Sequence, residues 1–257
     1  DDMDRRDLTI NDMAFCINAN RVGELIDPYN GLEDLQNKRI ITPLDPNITF
    51  SDDPLRMLRA IRFAARFDLV CNSDSLKIMQ KIDISDLSAN RIYLELEKFF
   101  IAKFKRRAME LLSELGLDLK LFGVEFDERF IQQISNKIHT HKASFLYHLI
   151  NYYAIDGKSL ISRLALPNCY SISYKQPFLK RVSKFELLKI ALDMPLCQWL
   201  GLDSKRRIKM AQALGIYEHK FSPNIDTSAI LCVGKAYGDE LKRLRIQAIK
   251  DYLNGCN

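Results

Sequence analysis

The sequence contains no hydrophobic run long enough to cross a lipid bilayer. A membrane-spanning helix needs about 20 consecutive apolar residues, and charged side chains interrupt the apolar stretches of this chain well before that length. The opening residues, DDMDRRD, are charged and lack the apolar segment of a secretory signal. We therefore predict a cytoplasmic protein with no membrane partner.

Paired metal-binding and redox motifs are also missing. No two of the six cysteines form a Cys-x-x-Cys pair, which excludes zinc-ribbon and thioredoxin-like sites. The spacing of His139, His141 and His148 does not place all three on one face of a helix, so we interpret them as surface or capping histidines and predict no metal site. We expect all the cysteines to be buried, reduced thiols: Cys16, Cys71, Cys169, Cys197, Cys232 and Cys256.

Hydrophobic periodicity indicates a mainly α protein. Residues 1–50 mix a short helical pattern with strand-like runs at 24–27 and 39–42, separated by the turn-forming segment DPYNG. Such a mixture is typical of the end of an α/β unit. From residue 53 onward apolar residues recur at helical spacing, as at 94–104, 145–153, 185–192 and 241–252.

The chain therefore reads as an α/β end at residues 1–50 followed by helices through the rest of the chain. A loop-like stretch at 164–177 could separate two helical modules.

One predicted helix carries a stripe of arginines. In SDDPLRMLRAIRFAARF, residues 51–67, Asp52 or Asp53 can cap a helix with Pro54 in its first turn. Apolar residues fall on one arc, and no acidic residue stands four positions away within the stripe. A solvated helix surface and a face that binds triphosphate or base edges would both fit. The opposite arc holds Arg56, Arg59, Arg62 and Arg66.

Asp53 stands one turn before Arg56, so both side chains can lie on the same side at the helix start. A carboxylate accepts a hydrogen bond from an exocyclic amine, and a guanidinium donates to a ring nitrogen. Cytosine and adenine offer that combination at one edge, whereas guanine and uracil do not. The pair would admit C and A; helix capping alone is the alternative role for Asp53.

Four segments follow one another over about 100 residues: RRDLTIN at 5–11, IDPYNGLEDLQNK at 26–38, DDPLRMLRAIRFAARF at 52–67 and ANRIYLELEKFF at 89–100. In order and spacing they resemble the class II tRNA nucleotidyltransferase and bacterial poly(A) polymerase family. A further segment, VGKAYGDELKRLRIQAI, is similar to the tail of the CCA-adding members. The resemblance implies that 1–50 ends a nucleotidyltransferase head, that 51–115 is a neck with the nucleotide-reading helix, and that 116–257 is a tRNA-binding body and tail.

The resemblance also implies roles for residues of the first segment. Arg6 would contact the incoming nucleotide. Asp7 and Asn11 would support its sugar and triphosphate.

Further roles follow for the arginine helix and the fourth segment. Asp53 and Arg56 would read the Watson–Crick edge of CTP and then of ATP. Arg59 and Arg62 would add nucleotide contacts. Arg91 and Glu95 would be structural partners behind the site, although an exposed pair four residues apart is an equal alternative.

The sequence departs from the family pattern in several places. Asp52 precedes Asp53 where a glutamate is usual, and Asn90 also replaces a common glutamate. The glycine-rich loop and the Asp-x-Asp that holds Mg²⁺ precede the first segment in the family, and the chain begins after them. We therefore predict no catalytic residue in this chain and no nucleotide addition by it alone, because two metals drive this phosphoryl transfer.

Three cationic runs lie on predicted helices. Each alone is typical of a solvated face, whereas together they fit phosphate contacts along a tRNA acceptor and T arm. The runs are Lys103, Lys105, Arg106 and Arg107; Lys205, Arg206, Arg207 and Lys209; and Lys242, Arg243 and Arg245.

The leading hypothesis is a CCA-adding enzyme with CTP and ATP as substrates, Mg²⁺ as cofactor and tRNA as partner. Poly(A) polymerase shares these segments; the tail resemblance and a formal charge of +5 favour CCA addition. The third hypothesis is a non-catalytic RNA- or nucleotide-binding protein.

Overall fold

Helices dominate the computed structural model, which describes residues 5–139, 141–228, 230 and 233–255. The prediction of a mainly α fold is confirmed. By spatial clustering the chain divides into unit 1, Asp1–Lys137 with His141–Tyr174, and unit 2, Ile138–Thr140 with Lys175–Asn257. The division after residue 174 falls inside the loop-like stretch 164–177, which also contains a short 3-10 turn, Asn168–Ser171.

Unit 1 begins with small strands and continues with helices. A 3-10 turn, Thr9–Asn11, precedes them. The strands are β1 (Ala14–Phe15), β2 (Leu25–Ile26), β3 (Arg39–Ile40) and β4 (Val70–Cys71). The helices are α1 (Gly31–Gln36), α2 (Pro46–Asp52), α3 (Leu55–Phe67), α4 (Ser73–Met79), α5 (Ala89–Phe100), α6 (Lys105–Glu114), α7 (Leu117–Phe122), α8 (Glu128–Ser135), α9 (Ser144–Tyr153) and α10 (Gly157–Arg163), with α11 (Ile172–Lys175) at the boundary.

The strands form two small sheets. β1 and β2 are antiparallel with Ala14 opposite Ile26, and β3 and β4 are parallel with Arg39 opposite Val70. Both strand-like runs of the sequence are present in shortened form. The expectation that only helices follow residue 53 is wrong at β4. Asp68 ends α3 in the left-handed conformation, φ 61°, and turns the chain back toward β3.

The arginine helix begins at Leu55, with Pro54 at its N-cap position rather than in its first turn. Residues Pro46–Asp52 form the separate helix α2. Asp53 lies between the two helices with extended backbone, φ −144°, because a residue before proline is disfavoured in the α region. Its carboxylate accepts from the Leu55 backbone N–H at 3.1 Å, so one of the two predicted caps is present.

Aromatic rings from several helices form the core of unit 1. Phe145 of α9 lies 5.0 Å from Phe99 and 5.4 Å from Phe100 between ring centroids. Offset and edge-to-face pairs of this kind add to the stabilisation that burial provides. Tyr152 and Tyr153 also pack against Phe130.

Unit 2 is built around the one tryptophan of the sequence. It contains α12 (Lys184–Ala191), a 3-10 turn Leu196–Gln198, α13 (Lys205–Ala213) and α14 (Lys235–Gly255). Trp199 is buried, and its Nε1 donates to the Pro177 carbonyl at 2.9 Å. Gly201 faces the indole so closely that a Cβ there would lie 2.2 Å from the ring.

The cysteine prediction holds only in part. Cys16 is buried, but Cys71, in the short strand β4, is half-buried, and Cys169 and Cys197, in 3-10 turns, are exposed. Cys232 and Cys256 lie outside the described residues.

The histidines also differ from one another. His141 is exposed, as predicted, and its Nδ1 accepts from the Ala143 N–H at 3.0 Å. His148 is 3% exposed on the buried face of α9, next to Tyr147, so its assignment to the surface is wrong.

Candidate functional site

The turn at Thr9–Asn11 holds the predicted polar residues of the first segment. Arg6 Nη1 donates to the Asn11 carbonyl at 2.6 Å, and Asn11 Nδ2 donates to Asp7 Oδ1 at 2.9 Å. The turn is anchored to α1, since a Cβ on Gly31 would lie 2.1 Å from the Thr9 carbonyl oxygen. Only glycine permits this approach.

Arg59 joins this turn to α3. Its Nε lies 2.5 Å from Asp7 Oδ2, and its Nη2 donates to Asp7 Oδ1 at 3.3 Å. Burial raises the pKa of Asp7, but hydrogen bonds from Arg59 and Asn11 outweigh burial and hold the pKa below its ordinary value. Asp7 therefore stays ionised and orients two neighbouring side chains at once.

Arg56 is held by the protein at the start of α3. Its guanidinium donates to the Thr49 carbonyl at 3.0 Å and to the Arg5 carbonyl at 2.8 Å, and it lies 3.2 Å from the Asp52 carboxylate. Only 17% of the side chain is exposed. Asp52 stands four residues before Arg56 and outside the arginine stripe, so it was not predicted as an acidic partner.

Asp53 turns to a different partner. Arg91 Nη2 of α5 contacts both carboxylate oxygens of Asp53, at 2.8 and 3.1 Å. Asp53 and Arg56 are thus adjacent in the chain, but each is held by separate groups. Arg91 and Glu95 of α5 were predicted to pair with each other. Instead, Arg91 pairs with Asp53 at the start of α3, and Glu95 pairs with Arg62 within α3.

Arg62 is not on an open face. It is 8% exposed, its Nε lies 2.5 Å from Glu95 Oε2, and its guanidinium stacks 3.9 Å from the Phe63 ring centroid. Burial lowers the pKa of Arg62, while Glu95 opposes that shift. The assignment of Arg62 as a nucleotide contact is therefore corrected to an internal tie between α3 and α5.

The first cationic run is split by burial. Lys103, Arg106 and Arg107 are exposed, but Lys105 is 4% exposed and donates to the Ala102 carbonyl at 2.5 Å. Burial lowers the pKa of Lys105 to about 8. Its assignment to an RNA-binding surface is wrong, because its side chain turns inward at the first residue of α6.

The second run is divided in the same way. Lys205 and Arg206 are exposed at the start of α13. Arg207 instead donates to the Gly201 carbonyl at 2.6 Å and to Asp203 at 3.0 Å, and only 16% of its side chain is exposed. Arg207 is therefore a structural residue of unit 2, which corrects its assignment to the RNA-binding surface.

The third run lies on α14. Lys242 and Arg243 are exposed and Arg245 is half-buried. Arg243 pairs with Glu240 in a two-pronged contact at 2.9 and 2.6 Å. Lys242 and Arg245 lie on the side of α14 that faces α12.

Within the residues that the structure describes, no group of three or more His, Cys, Asp or Glu side chains is placed to hold a metal ion. The described carboxylates therefore do not fit an Mg²⁺ site. None of the described helices is both long enough and apolar enough to span a membrane.

Known proteins resemble this chain in sequence and in fold. Residues 1–41 match the family model described as the poly A polymerase head domain. The multifunctional CCA protein of Actinobacillus pleuropneumoniae serotype 5b is 36% identical over 153 residues, which cover 54% of this chain and 36% of that protein. The chain thus spans about a third of the length of the curated relatives it matches.

Solved structures share the fold. The crystal structure of the Bacillus stearothermophilus CCA-adding enzyme in complex with CTP has a TM-score of 0.68 at 20% identity, covering 98% of this chain and 70% of that one. The Thermotoga maritima CCA-adding enzyme complexed with tRNA has a TM-score of 0.65 at 20% identity, covering 100% and 73%. The fold of the chain is therefore that of these solved structures, and its sequence is similar to that of CCA-adding proteins over about half of its length.

Proposed function

We propose that this chain supplies nucleotide selection and RNA binding in a tRNA nucleotidyltransferase that adds CCA to tRNA 3′ ends from CTP and ATP. The observation that carries the proposal is the ion pair between Arg59 and Asp7. It ties the turn with Arg6 and Asn11 to the helix that begins with Asp53 and Arg56, so that phosphate-binding and base-reading groups belong to one small cluster.

In this proposal Asp53 and Arg56 read the base. A carboxylate offers about four acceptor positions, and Leu55 N–H and Arg91 occupy three of them. One position remains for the exocyclic amine of cytosine or adenine. Arg56 donates to the ring nitrogen after releasing its exposed partner Asp52, a surface ion pair that costs little to break.

The chemistry itself is proposed to need Mg²⁺ held by carboxylates of another segment or chain. Phosphoryl transfer of this type requires a metal-activated 3′ hydroxyl and a stabilised pyrophosphate leaving group. We infer that the chain alone binds CTP, ATP and tRNA in the cytoplasm and does not catalyse the transfer.

Poly(A) synthesis is the second candidate, and the match of residues 1–41 to the poly A polymerase head favours it as much as CCA addition. The two can be separated by the product. The test supplies a tRNA transcript lacking its 3′ CCA with each nucleoside triphosphate, using this chain alone and this chain joined to the metal-binding segment of a CCA-adding relative. Addition of C, C and A by the joined protein alone supports the proposal. Long A tails identify a poly(A) polymerase, and tRNA binding without addition identifies a binding protein.

Asp53→Ala in the joined protein tests the base-reading role. The variant loses the acceptor for the exocyclic amine, so the preference for CTP over UTP should fall by roughly tenfold to a hundredfold, the value of one to two hydrogen bonds. Asp74→Ala is the control, because Asp74 is exposed on α4 and contacts only Lys77. Unchanged selectivity in the Asp53 variant would remove Asp53 from the site.

A further inference from the structure

A cavity of about 290 Å³ lies at the N-terminal end of α6 in unit 1. Among the described residues that line it, four are cations and one is a carboxylate, so the cavity carries an excess of positive charge. Its charged lining residues are Asp68, Lys103, Lys105, Arg106 and Arg107.

Lys105 is the buried member of this set. It is 4% exposed, and its Nζ donates to the Ala102 carbonyl, which occupies one of the three N–H donors of an ammonium group. Burial lowers the pKa of Lys105 to about 8. Near pH 8 about half of the molecules therefore carry Lys105 as the neutral amine, whereas an ordinary lysine is almost wholly protonated at that pH.

The surroundings of Lys105 favour reaction with an anionic partner. Burial and neighbouring cations are two conditions that activate a lysine amine as a nucleophile, and Lys105 has both. The first turn of α6 consists of cations, and the partial positive charge of the helix N-terminus adds to theirs. Arg106 and Arg107 pair with Glu110, but Lys103 has no carboxylate partner among the described residues and can meet an incoming anion.

We propose that Lys105 is an acylation site for small acyl phosphates, which enter this cavity and bind its cations through their phosphate group. The neutral Nζ attacks the acyl carbonyl carbon. The C–N bond of an amide forms, the C–O bond to phosphate breaks with its electron pair on the departing inorganic phosphate, and the surplus amine proton passes to water. The product side chain is uncharged, so acylation removes a charge whose burial is unfavourable.

The size of the cavity selects among acyl donors. A volume of about 290 Å³ admits an acetyl or other short acyl phosphate. A coenzyme A thioester carries a nucleotide and a long arm, which the cavity cannot contain. Acylation needs neither a bound nucleotide nor RNA, so its test stands apart from that of the proposed function.

The test incubates the full chain with acetyl phosphate at pH 8, and mass spectrometry of its peptides measures acetylation of each lysine over time. Lys105 should react about tenfold faster than exposed Lys103, because its larger neutral fraction outweighs the weaker basicity of its amine. Acetyl coenzyme A should give no such preference. Lys103→Met should slow acetylation of Lys105 by about threefold, the value of one exposed charge contact, and leave that of exposed Lys158 unchanged.

A second measurement follows stability. Acetylation should raise the urea midpoint of the wild type at pH 7 and leave that of Lys105→Met unchanged, because only the wild type loses a buried charge. Equal acetylation rates at Lys105 and Lys103 in the folded chain would overturn the inference. The same preference for Lys105 in urea would also overturn it, since the cavity is then absent, and so would an equal preference with acetyl coenzyme A.

Discussion

Single residues depart from their sequence-based roles where burial decides. Lys105 and Arg207 belong to cationic runs, yet both side chains turn inward and bind backbone carbonyls. Hydrophobic periodicity predicts which side of a helix a residue faces. It does so poorly for a residue in the first turn, because no preceding turn defines the buried side of the helix. Lys103 and Arg206, in the same two runs, remain exposed. Each run therefore contains both inward-facing and exposed cations.

Lys105 gives a prediction for stability against pH. Its pKa is lowered to about 8 in the folded protein from an ordinary value of 10.5, so burial of the charge destabilises the fold fully below pH 8 and not at all above pH 10.5. Lys105→Met should therefore stabilise the protein by about 3 kcal/mol at pH 7. That advantage should fade as pH rises through this window. Urea unfolding at pH 7 and pH 10 measures the difference in the free energy of unfolding between the variant and the wild type. Lys103→Met is the control: it changes an exposed side chain, so this difference should not depend on pH. A gain independent of pH would contradict the buried charge.

At the scale of elements, α3 is tied to α5 and to the first segment by ion pairs at its start and in its middle. Arg91 of α5 binds Asp53 at its start, and Glu95 binds Arg62 near its middle, while Arg59 ties it to the first turn. The sequence predicts α3 and α5 and their apolar faces well, because both have a strong helical period. It does not reveal which charged residues of one helix meet those of the other, since that depends on how the two helices cross.

The Arg62–Glu95 pair gives a second prediction. Glu95→Ala should lower the free energy of unfolding by about 3–5 kcal/mol, because it leaves a buried guanidinium without its partner. The double change Arg62→Met with Glu95→Met should cost much less, since it removes both charges. Chemical unfolding of the two variants and the wild type measures this. Glu97→Ala is the control, because Glu97 is only partly buried and pairs with exposed Lys142. If the single and the double variants lose equal free energy of unfolding, the loss comes from packing and not from charge.

At the scale of the whole molecule, the basic residues divide into two classes. Arg62, Lys105 and Arg207 turn inward and contact groups of the protein, whereas Lys205 and Lys242 face solvent and have no acidic partner among the described residues. The net charge of +5 does not distinguish the classes, although only the exposed class can neutralise phosphates.

Arg207 and Lys205 test this division in one helix. Arg207→Met should lower the free energy of unfolding by several kcal/mol, because buried Asp203 loses its arginine and the Gly201 carbonyl loses a donor. Lys205→Met should stay within about 0.5 kcal/mol of the wild type and weaken tRNA binding instead. Thermal unfolding followed by Trp199 fluorescence, with tRNA binding at fixed salt, reports both effects. A stable Arg207 variant with weakened binding would return Arg207 to the RNA-binding class.

The sequence by itself determined the mainly α fold, the four family segments and the helix that carries Asp53, Arg56 and Arg59, because periodicity, capping residues and motif spacing are local properties. Tertiary structure decided the rest. Residues Pro46–Asp52 formed a separate helix before Asp53 and Pro54, Val70–Cys71 became a strand by pairing with β3, and arginines of the stripe paired with carboxylates on other elements. Each of these depends on contacts between residues far apart in the chain or on a backbone restriction that overrides an otherwise continuous pattern, so no local pattern could contain them.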